Sequence, residues 1–228
     1  MNEVVLVTGG NRGLGKAFVE EALARGARKV YAAARDPRTV TTPGAIPIAL
    51  NVTDPASVLR AAAEAPDVTL LINNAGISAR ASVLNADLDL IRDEFETNFY
   101  GPILVTRAFA PVLKANGGGR LLNVHSVLSW ISQGTSYSAS KAALWQATNA
   151  FRLELAAQGT SVTGLHVGYI DTDMTAGVDG PKVEARDVAR QALDGVQAGA
   201  FEVLADDISR TVKQGLSADP AALYPQLV

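Results

Sequence analysis

Val4-Val5-Leu6-Val7-Thr8-Gly9-Gly10-Asn11-Arg12-Gly13-Leu14-Gly15 decides how the rest of the chain is read. A short apolar run passes straight into a glycine-rich turn, and a helical pattern opens at Gly15. Gly9, Gly13 and Gly15 allow a tight turn and let backbone approach a pyrophosphate closely. The free N–H groups of the helix start, with the positive end of its dipole, then face the phosphates. Alone, such a stretch could be a plain tight turn. Directly after a first strand and opening a helix, it predicts dinucleotide binding. The spacing is Gly-x-x-x-Gly-x-Gly, not the common Gly-x-Gly-x-x-Gly, and it lacks the Gly-Lys-Ser/Thr of a P-loop.

Outward from this turn, strand and helix patterns alternate to the end of the chain. Strand candidates are Val4–Val7, Lys29–Ala33, Ile46–Asn51, Thr69–Asn73, Arg120–His125, Ser161–Val167 and Glu202–Leu204. Most are continuous apolar runs, as expected of strands buried on both faces of a parallel sheet. Helical patterns lie at Gly15–Ala24, Pro55–Glu64, Asp89–Lys114, Ser138–Ala157 and Glu184–Gln197, the third interrupted near Gly101-Pro102. The expected fold class is α/β: a Rossmann-type doubly wound parallel sheet of about seven strands with helices on both faces. A single domain over residues 1–228 accommodates it.

Composition narrows the function classes. The chain has no cysteine, which excludes thiolate catalysis and Cys-based metal sites. Two histidines, His125 and His166, are too few for a multi-histidine metal centre, so no metal is expected. A net charge of -3, with both signs interspersed, argues against broad nucleic-acid binding. Met1-Asn2-Glu3-Val4 lacks the basic start of a signal peptide, and no run of about 18 apolar residues would span a membrane. The expected location is the cytoplasm.

Further landmarks follow the glycine turn in order: Asn73-Asn74-Ala75-Gly76, then Asn98, Ser126, and Tyr137-Ser138-Ala139-Ser140-Lys141. Together they cover most of the chain, which resembles the short-chain dehydrogenase/reductase family in its compact single-domain branch. The resemblance implies a nicotinamide cofactor held by Gly9, Asn11, Arg12, Gly13, Leu14 and Gly15, with Asn51-Val52 near the adenine. It adds Asn74, Ala75 and Gly76 beside the cofactor, then Gly168, Ile170 and Thr172 after the sixth strand, with Val167 where the family usually has proline. The second strand ends Ala33-Ala34-Arg35, with Ala34 where the family's NAD enzymes carry Asp. Arg35 and Arg12 are two cations suited to a 2′-phosphate, so NADP(H) is expected. Asp36 competes, since a one-residue shift would bring it to the ribose.

Tyr137 and Lys141 stand four apart at a helix start and so share a face. A phenol ionises at about 10 on its own, and a nearby ammonium is expected to lower that value. Such a phenol donates a proton to a carbonyl oxygen while hydride reaches the carbon, and accepts the alcohol proton in reverse. By resemblance, Lys141 also bonds the nicotinamide ribose, and Asn98 holds a water that relays protons to it. Ser126 ends the fifth strand and can polarise the substrate oxygen. The Ser126-to-Tyr137 separation is about two residues shorter than the family habit, so Ser129, and more remotely Ser132, stay open as the acting serine. His125 next to Ser126 invites a hydrolase reading, but adjacent strand residues face opposite sides. His125 and His166 are read as packed strand residues.

The expected reaction is hydride transfer between NADP(H) and a ketone or aldehyde and its alcohol, with Tyr137 as general acid/base. Ser126, Leu128, Trp130, Tyr169 and Met174 are expected to line the substrate pocket, with Ser78 and Trp145 as further candidates. Their character suggests an apolar or aromatic carbonyl compound, under a short lid spanning residues 172–183. The family pairs through its two long helices, which implies a homodimer. A tetramer stays possible, although residues 206–228 depart from the family's common ending, which counts against it. Two other classes compete: a non-catalytic NADP(H)-binding regulator or redox sensor, which would not need Tyr137 and Lys141, and a nucleotide-sugar epimerase or dehydratase, which usually has a longer chain.

Overall fold

The structure, a computed structural model, describes residues 1–224. Its first half runs β1 (Val4–Thr8), α1 (Gly13–Ala24), β2 (Lys29–Ala34), β3 (Ile46–Ala49), α2 (Pro55–Glu64) and β4 (Leu70–Asn73). The second half runs α3 (Leu88–Phe95), α4 (Gly101–Ala115), β5 (Arg120–Val124), α5 (Ser136–Leu155), β6 (Ser161–His166), α6 (Ala185–Gln197), β7 (Glu202–Leu204), α7 (Asp207–Gly215) and α8 (Pro220–Leu223). The strands form one seven-stranded sheet in the order β3-β2-β1-β4-β5-β6-β7, every pairing parallel.

Apolar strands are buried on both faces because helices cover both. On one face Phe18 and Val19 of α1 and Val188 and Leu193 of α6 pack against Val5, Val7 and Leu165. On the other, Val58 of α2, Phe109 and Leu113 of α4 and Phe151 of α5 pack against Leu6, Leu71 and Leu121. The strand order reverses between β1 and β4. In open α/β sheets ligands bind in the crevice that such a reversal leaves at the carboxyl ends of the strands. Thr8 and Asn73 end there.

Some expected boundaries move, each for a local reason. The helix after the glycine turn starts at Gly13, not Gly15, and the one carrying Tyr137 starts at Ser136, not Ser138. The expected long helix over Asp89–Lys114 is divided into α3, a π-helical turn at Glu96–Tyr100, and α4. Pro102 has no N–H to give the carbonyl of Asn98 four residues back, and the ladder widens so that the Gly101 N–H bonds Glu96 O. Such π turns gather at functional sites. In the tail, α7 is capped by Asp206, whose side chain accepts from Ser209 N, and α8 by Asp219, with Pro220 at its first position. No described helix is long and apolar enough to cross a membrane.

Candidate active site

At the crevice the glycine turn and the end of β4 are laced together. Thr8 Oγ1 accepts from Asn74 N (2.9 Å) and Ala75 N (3.0 Å), and Asn74 Nδ2 donates to Thr8 O (2.9 Å). Gly9 and Gly13 hold φ of +66° and +51°, the left-handed region that suits glycine. Gly15 has no room for a side chain: a Cβ there would lie 2.0 Å from Gly9 O. Arg12, the residue before α1, puts no side-chain acceptor on the helix start, and the first turn carries no acid. Its N–H groups therefore face the crevice unmasked, as an anion requires. Leu14 is buried beneath the turn. Thr172 Cγ2 would meet a Cβ on Gly13 at 3.3 Å, so the turn after β6 closes the crevice from the far side.

At the end of β2, Asp36 is occupied. It accepts from Arg38 Nε (2.9 Å), Arg38 Nη2 (2.8 Å) and Arg38 N (3.0 Å), which pulls its carboxyl below its ordinary range. Arg12 and Arg35 are exposed and make no ion pair among the described residues. Asn11 Nδ2 donates to Thr39 Oγ1 (3.0 Å), bracing the loop that follows. Asn51 Oδ1 accepts from Thr53 Oγ1 (3.0 Å), and Val52 packs against Gly101, where a Cβ would lie 3.0 Å from Val52 Cγ2.

Tyr137 and Lys141 lie in the first turns of α5, with Lys141 Nζ 5.7 Å from the centre of the Tyr137 ring. Lys141 is buried and donates to Val124 O at 2.9 Å. Burial with only a carbonyl partner pulls its ammonium down to about 8. The Tyr137 ring is partly exposed while its hydroxyl end is enclosed. Enclosure raises the phenol above its ordinary value, the Glu94 carboxylate adds to this, and the adjacent Ser126 hydroxyl opposes it. The expected lowering by Lys141 is thus not what the protein shows without ligand: desolvation outweighs an ammonium that is directed at Val124 O.

The geometry separates the three serines. Ser126 Oγ accepts from Leu128 N (3.2 Å) and lies beside the Tyr137 phenol. Ser129 Oγ instead donates to Ser126 O (2.5 Å) and meets His166 Nδ1 at 3.0 Å, away from Tyr137. Ser132 sits further out, on an exposed loop where its N–H donates to Tyr224 Oη (3.0 Å). Asn98 is fully buried, and its side chain is spoken for: Oδ1 accepts from Ile77 N (2.9 Å), and Nδ2 donates to Ile77 O (2.9 Å) and Ser140 Oγ (3.1 Å). Both amide hydrogens are thus used within the protein, and Oδ1 keeps one lone pair. Asn98 ties the loop after Gly76 to α5, and a Cβ on Gly76 would touch both Asn98 Oδ1 (3.1 Å) and Lys141 Nζ (3.6 Å).

Of the expected pocket residues, Tyr169 and Met174 lie on the segment after β6. Tyr169 Oη donates to Gln133 Oε1 (3.1 Å), and Arg80 Nη2 donates to Met174 O (3.4 Å). Leu128 follows Ser126 on the same turn. The Trp130 ring stacks on His166 at 3.8 Å with Lys213 Nζ 4.8 Å from its centre, and Trp145 Nε1 donates to Glu202 (3.0 Å). Trp130 lines a cavity together with Leu128, Ser129 and Ile131. His125 Nε2 meets Thr148 Oγ1 (3.0 Å) inside the core, beside an Asn73–Asn123–Thr148 chain of hydrogen bonds. Burial holds both histidines below their ordinary value, so they are neutral.

Sequence reasoning missed two acids. Asp206 Oδ2 accepts from Gly168 N (2.6 Å), supplying the rigidity that Val167, in place of proline, does not. Its signal was the N-cap pattern before α7. Ile170 and Thr172 continue this turn, with Thr175 Oγ1 donating to Ile170 O (2.5 Å) and Thr172 O (3.1 Å). The other acid is Glu94, fully buried on α3. It sits in a stretch that reads as an ordinary charged helix face.

A nucleotide crevice beside a Tyr–Lys–Ser cluster defines a dehydrogenase-type site. Residues 3–182 match the family profile described as short chain dehydrogenase, and the chain belongs to the short-chain dehydrogenase/reductase family. Among curated relatives, the 3-oxoacyl-(acyl-carrier-protein) reductase FabG of Escherichia coli (strain K12) is 30% identical over 184 residues, spanning 76% of this chain and 75% of its own. A short chain dehydrogenase from Burkholderia cenocepacia J2315, solved in complex with NADP, superposes with a TM-score of 0.94 at 40% identity, covering 100% of this chain and 98% of its own. An NADPH-bound carbonyl reductase from chicken fatty liver superposes with a TM-score of 0.81 at 30% identity, covering 89% and 98%.

Proposed function

We propose that this protein is an NADP(H)-dependent carbonyl reductase. The observation that carries the reading is the convergence of Ser126 Oγ, the Tyr137 phenol and buried Lys141 at the carboxyl ends of β4 and β5, beside the glycine turn. Gly9, Gly13 and Gly15, the open start of α1, and Thr172 fit a pyrophosphate, and Arg12 and Arg35 suit a 2′-phosphate. Asp36, committed to Arg38, does not compete for the ribose. When bound, the cofactor supplies the hydride. Ser126 bonds the carbonyl oxygen, Tyr137 gives it the proton, and Lys141 stabilises the charge left on the phenol oxygen. The bound complexes of the Burkholderia and chicken proteins support the cofactor assignment. Pairing of two copies through α4 and α5, which the family resemblance implies, would cover Leu153, exposed on α5.

A panel of aldehydes, aliphatic ketones and aryl ketones, assayed with NADPH and with NADH, tests the reading. Turnover of at least one class with NADPH preferred is expected. No turnover on any would favour the non-catalytic regulator. Arg35→Ala should raise the KM for NADPH roughly tenfold or more, since a charge-assisted hydrogen bond contributes about 1.5–3 kcal/mol, and leave the KM for NADH within about twofold.

The pH profile of carbonyl reduction should reflect Lys141. Its ammonium is charged below about 8 and neutral above. The charge assists proton donation by Tyr137, so kcat/KM for reduction should be level at neutral pH and fall as pH rises past about 8. Lys141→Arg keeps its charge throughout this range and should remove that alkaline limb, whatever its effect on the maximal rate. A limb that persists unchanged in the arginine variant would assign it to another group.

A further inference from the structure

Glu94 is the one fully buried carboxylate among the described residues, and the mechanism above does not use it. It lies on α3, with none of its surface exposed. Its Oε1 accepts from Ala79 N (2.6 Å), and its Oε2 accepts from the hydroxyl of Ser136. Ser136 is the first residue of α5 and directly precedes Tyr137. The Ser136 N–H in turn donates to Ala81 O (2.9 Å). Glu94 therefore joins the loop that borders the substrate mouth to the start of the catalytic helix.

No lysine, arginine or histidine forms an ion pair with Glu94 among the described residues. One N–H and one hydroxyl are few partners for a carboxylate taken wholly out of water. An amide could bond the same two groups without the charge, its oxygen accepting from Ala79 N and its NH2 donating to the Ser136 hydroxyl. What the carboxylate adds is a negative field close to Tyr137, in an environment that screens it poorly.

The charged groups that face Tyr137 can be named element by element. From α5 itself comes Lys141, with Nζ at 5.7 Å from the ring centre and turned to Val124 O. From α3 comes Glu94. The π turn contributes neutral Asn98, and the turn after β5 contributes the Ser126 hydroxyl. His125 and His166 on β5 and β6 lie behind that turn and are neutral. Lys141 favours the phenolate, and Glu94 alone of the charged groups opposes it.

We propose that Glu94 is a positioning residue for the reaction: its unpaired carboxylate, tethered to the first residue of α5, keeps the proton on Tyr137 and biases the enzyme towards carbonyl reduction. This rests on the carbonyl reductase reading for its consequence in turnover, but not for the electrostatic effect itself. In reduction Tyr137 must hold a proton to give. In alcohol oxidation it must first lose one. A carboxylate beside it therefore favours the first over the second at any pH near neutrality.

The test is Glu94→Gln, which removes the charge and can still bond both neighbours, with its NH2 now donating to the Ser136 hydroxyl. Phenolate formation is followed by ultraviolet absorbance, as the difference between each protein and its Tyr137→Phe counterpart. In parallel, alcohol oxidation is measured against pH. The midpoint of Tyr137 ionisation should move down by about one pH unit. Oxidation on the rising limb should increase roughly tenfold at fixed pH. A merely structural stitch predicts unchanged curves for glutamine, and superimposed titrations would overturn the proposal. Where the glutamine variant does not fold, Glu94→Asp draws the charge back by one methylene and should give a smaller downward shift; no shift would again overturn it. The absorbance titration needs no substrate. Absence of turnover in the parent protein would sink the reductase reading and leave the statement about Glu94 still decided by the titration.

Discussion

Tyr137→Phe should lower carbonyl reduction by roughly 100- to 10,000-fold, the range that general acid catalysis contributes, and leave NADPH binding unchanged within about twofold. The substitution is selective because of where the ring lies. Its partly exposed face lines the cleft, and Lys141 Nζ stands 5.7 Å from the ring centre, a contact that phenylalanine keeps. Only the hydroxyl is lost, and with it the proton that the substrate oxygen must receive. Lys141 retains its bond to Val124 O, and Ser126 retains its bond from Leu128 N. The crevice between β1 and β4 does not depend on the hydroxyl at all, since Thr8, Asn74 and Gly15 build it. The measurement is steady-state reduction beside a fluorescence titration with NADPH. A variant that keeps more than about a tenth of the parent's rate would remove Tyr137 from the role of general acid, because other acids of comparable reach would then be supplying the proton.

The difference between what could be read from the chain and what could not follows the range of the interactions. The glycine turn, the Tyr137–Lys141 spacing and the apolar strands are local patterns, and the structure places them as expected. Doubt about the serine came from counting residues along the loop. In space Ser129 Oγ is drawn to His166 Nδ1, a residue on another strand, while Ser126 lies beside the Tyr137 phenol. Trp130 follows the same logic. Its ring lines a cavity with Leu128, but what holds it there is stacking on His166 and the approach of Lys213 from α7. Neither partner could be foreseen from spacing. Nor could the depth at which Tyr137 and Lys141 lie, so the direction of both shifts departs from what the pair alone suggests. Glu94 was illegible for a further reason. It stands beside charged Arg92, Asp93 and Glu96 on a polar stretch, and only the bonds to Ser136 and Ala79 reveal that it faces inward.

Gly15 is where the fold and the cofactor site share a single atom-scale constraint. A Cβ at this position would lie 2.0 Å from Gly9 O, 2.8 Å from Gly9 C and 2.5 Å from Asn74 Nδ2. The first two are backbone atoms of the phosphate turn, and the third belongs to the side chain that holds Thr8 O. No rotamer change relieves a collision with backbone. Alanine at Gly15 must therefore push α1 away from the turn or force Gly9 off its position. Helical propensity would favour alanine here by about 1 kcal/mol, but overpacking against fixed groups costs about 1–3 kcal/mol or more, so the collision decides the sign. For a chain of this size, each kcal/mol lost lowers Tm by about 2–4 °C, and Gly15→Ala should melt roughly 5 °C or more below the parent. The effect on cofactor should be larger still. The N–H groups at the start of α1 bond phosphate only within about 3.2 Å, and a displacement of the size the collision demands takes them out of range. NADPH affinity should fall at least about 100-fold, the loss of two or more charge-assisted hydrogen bonds. Gly26→Ala serves as the comparison. Gly26 also has a positive φ, +72°, but a Cβ there meets nothing within 4 Å. It should cost about 1–2 kcal/mol of backbone strain and leave NADPH binding intact. Should Gly15→Ala instead bind NADPH within a few-fold of the parent, the close approach of α1 to the turn would not be what forms the phosphate site.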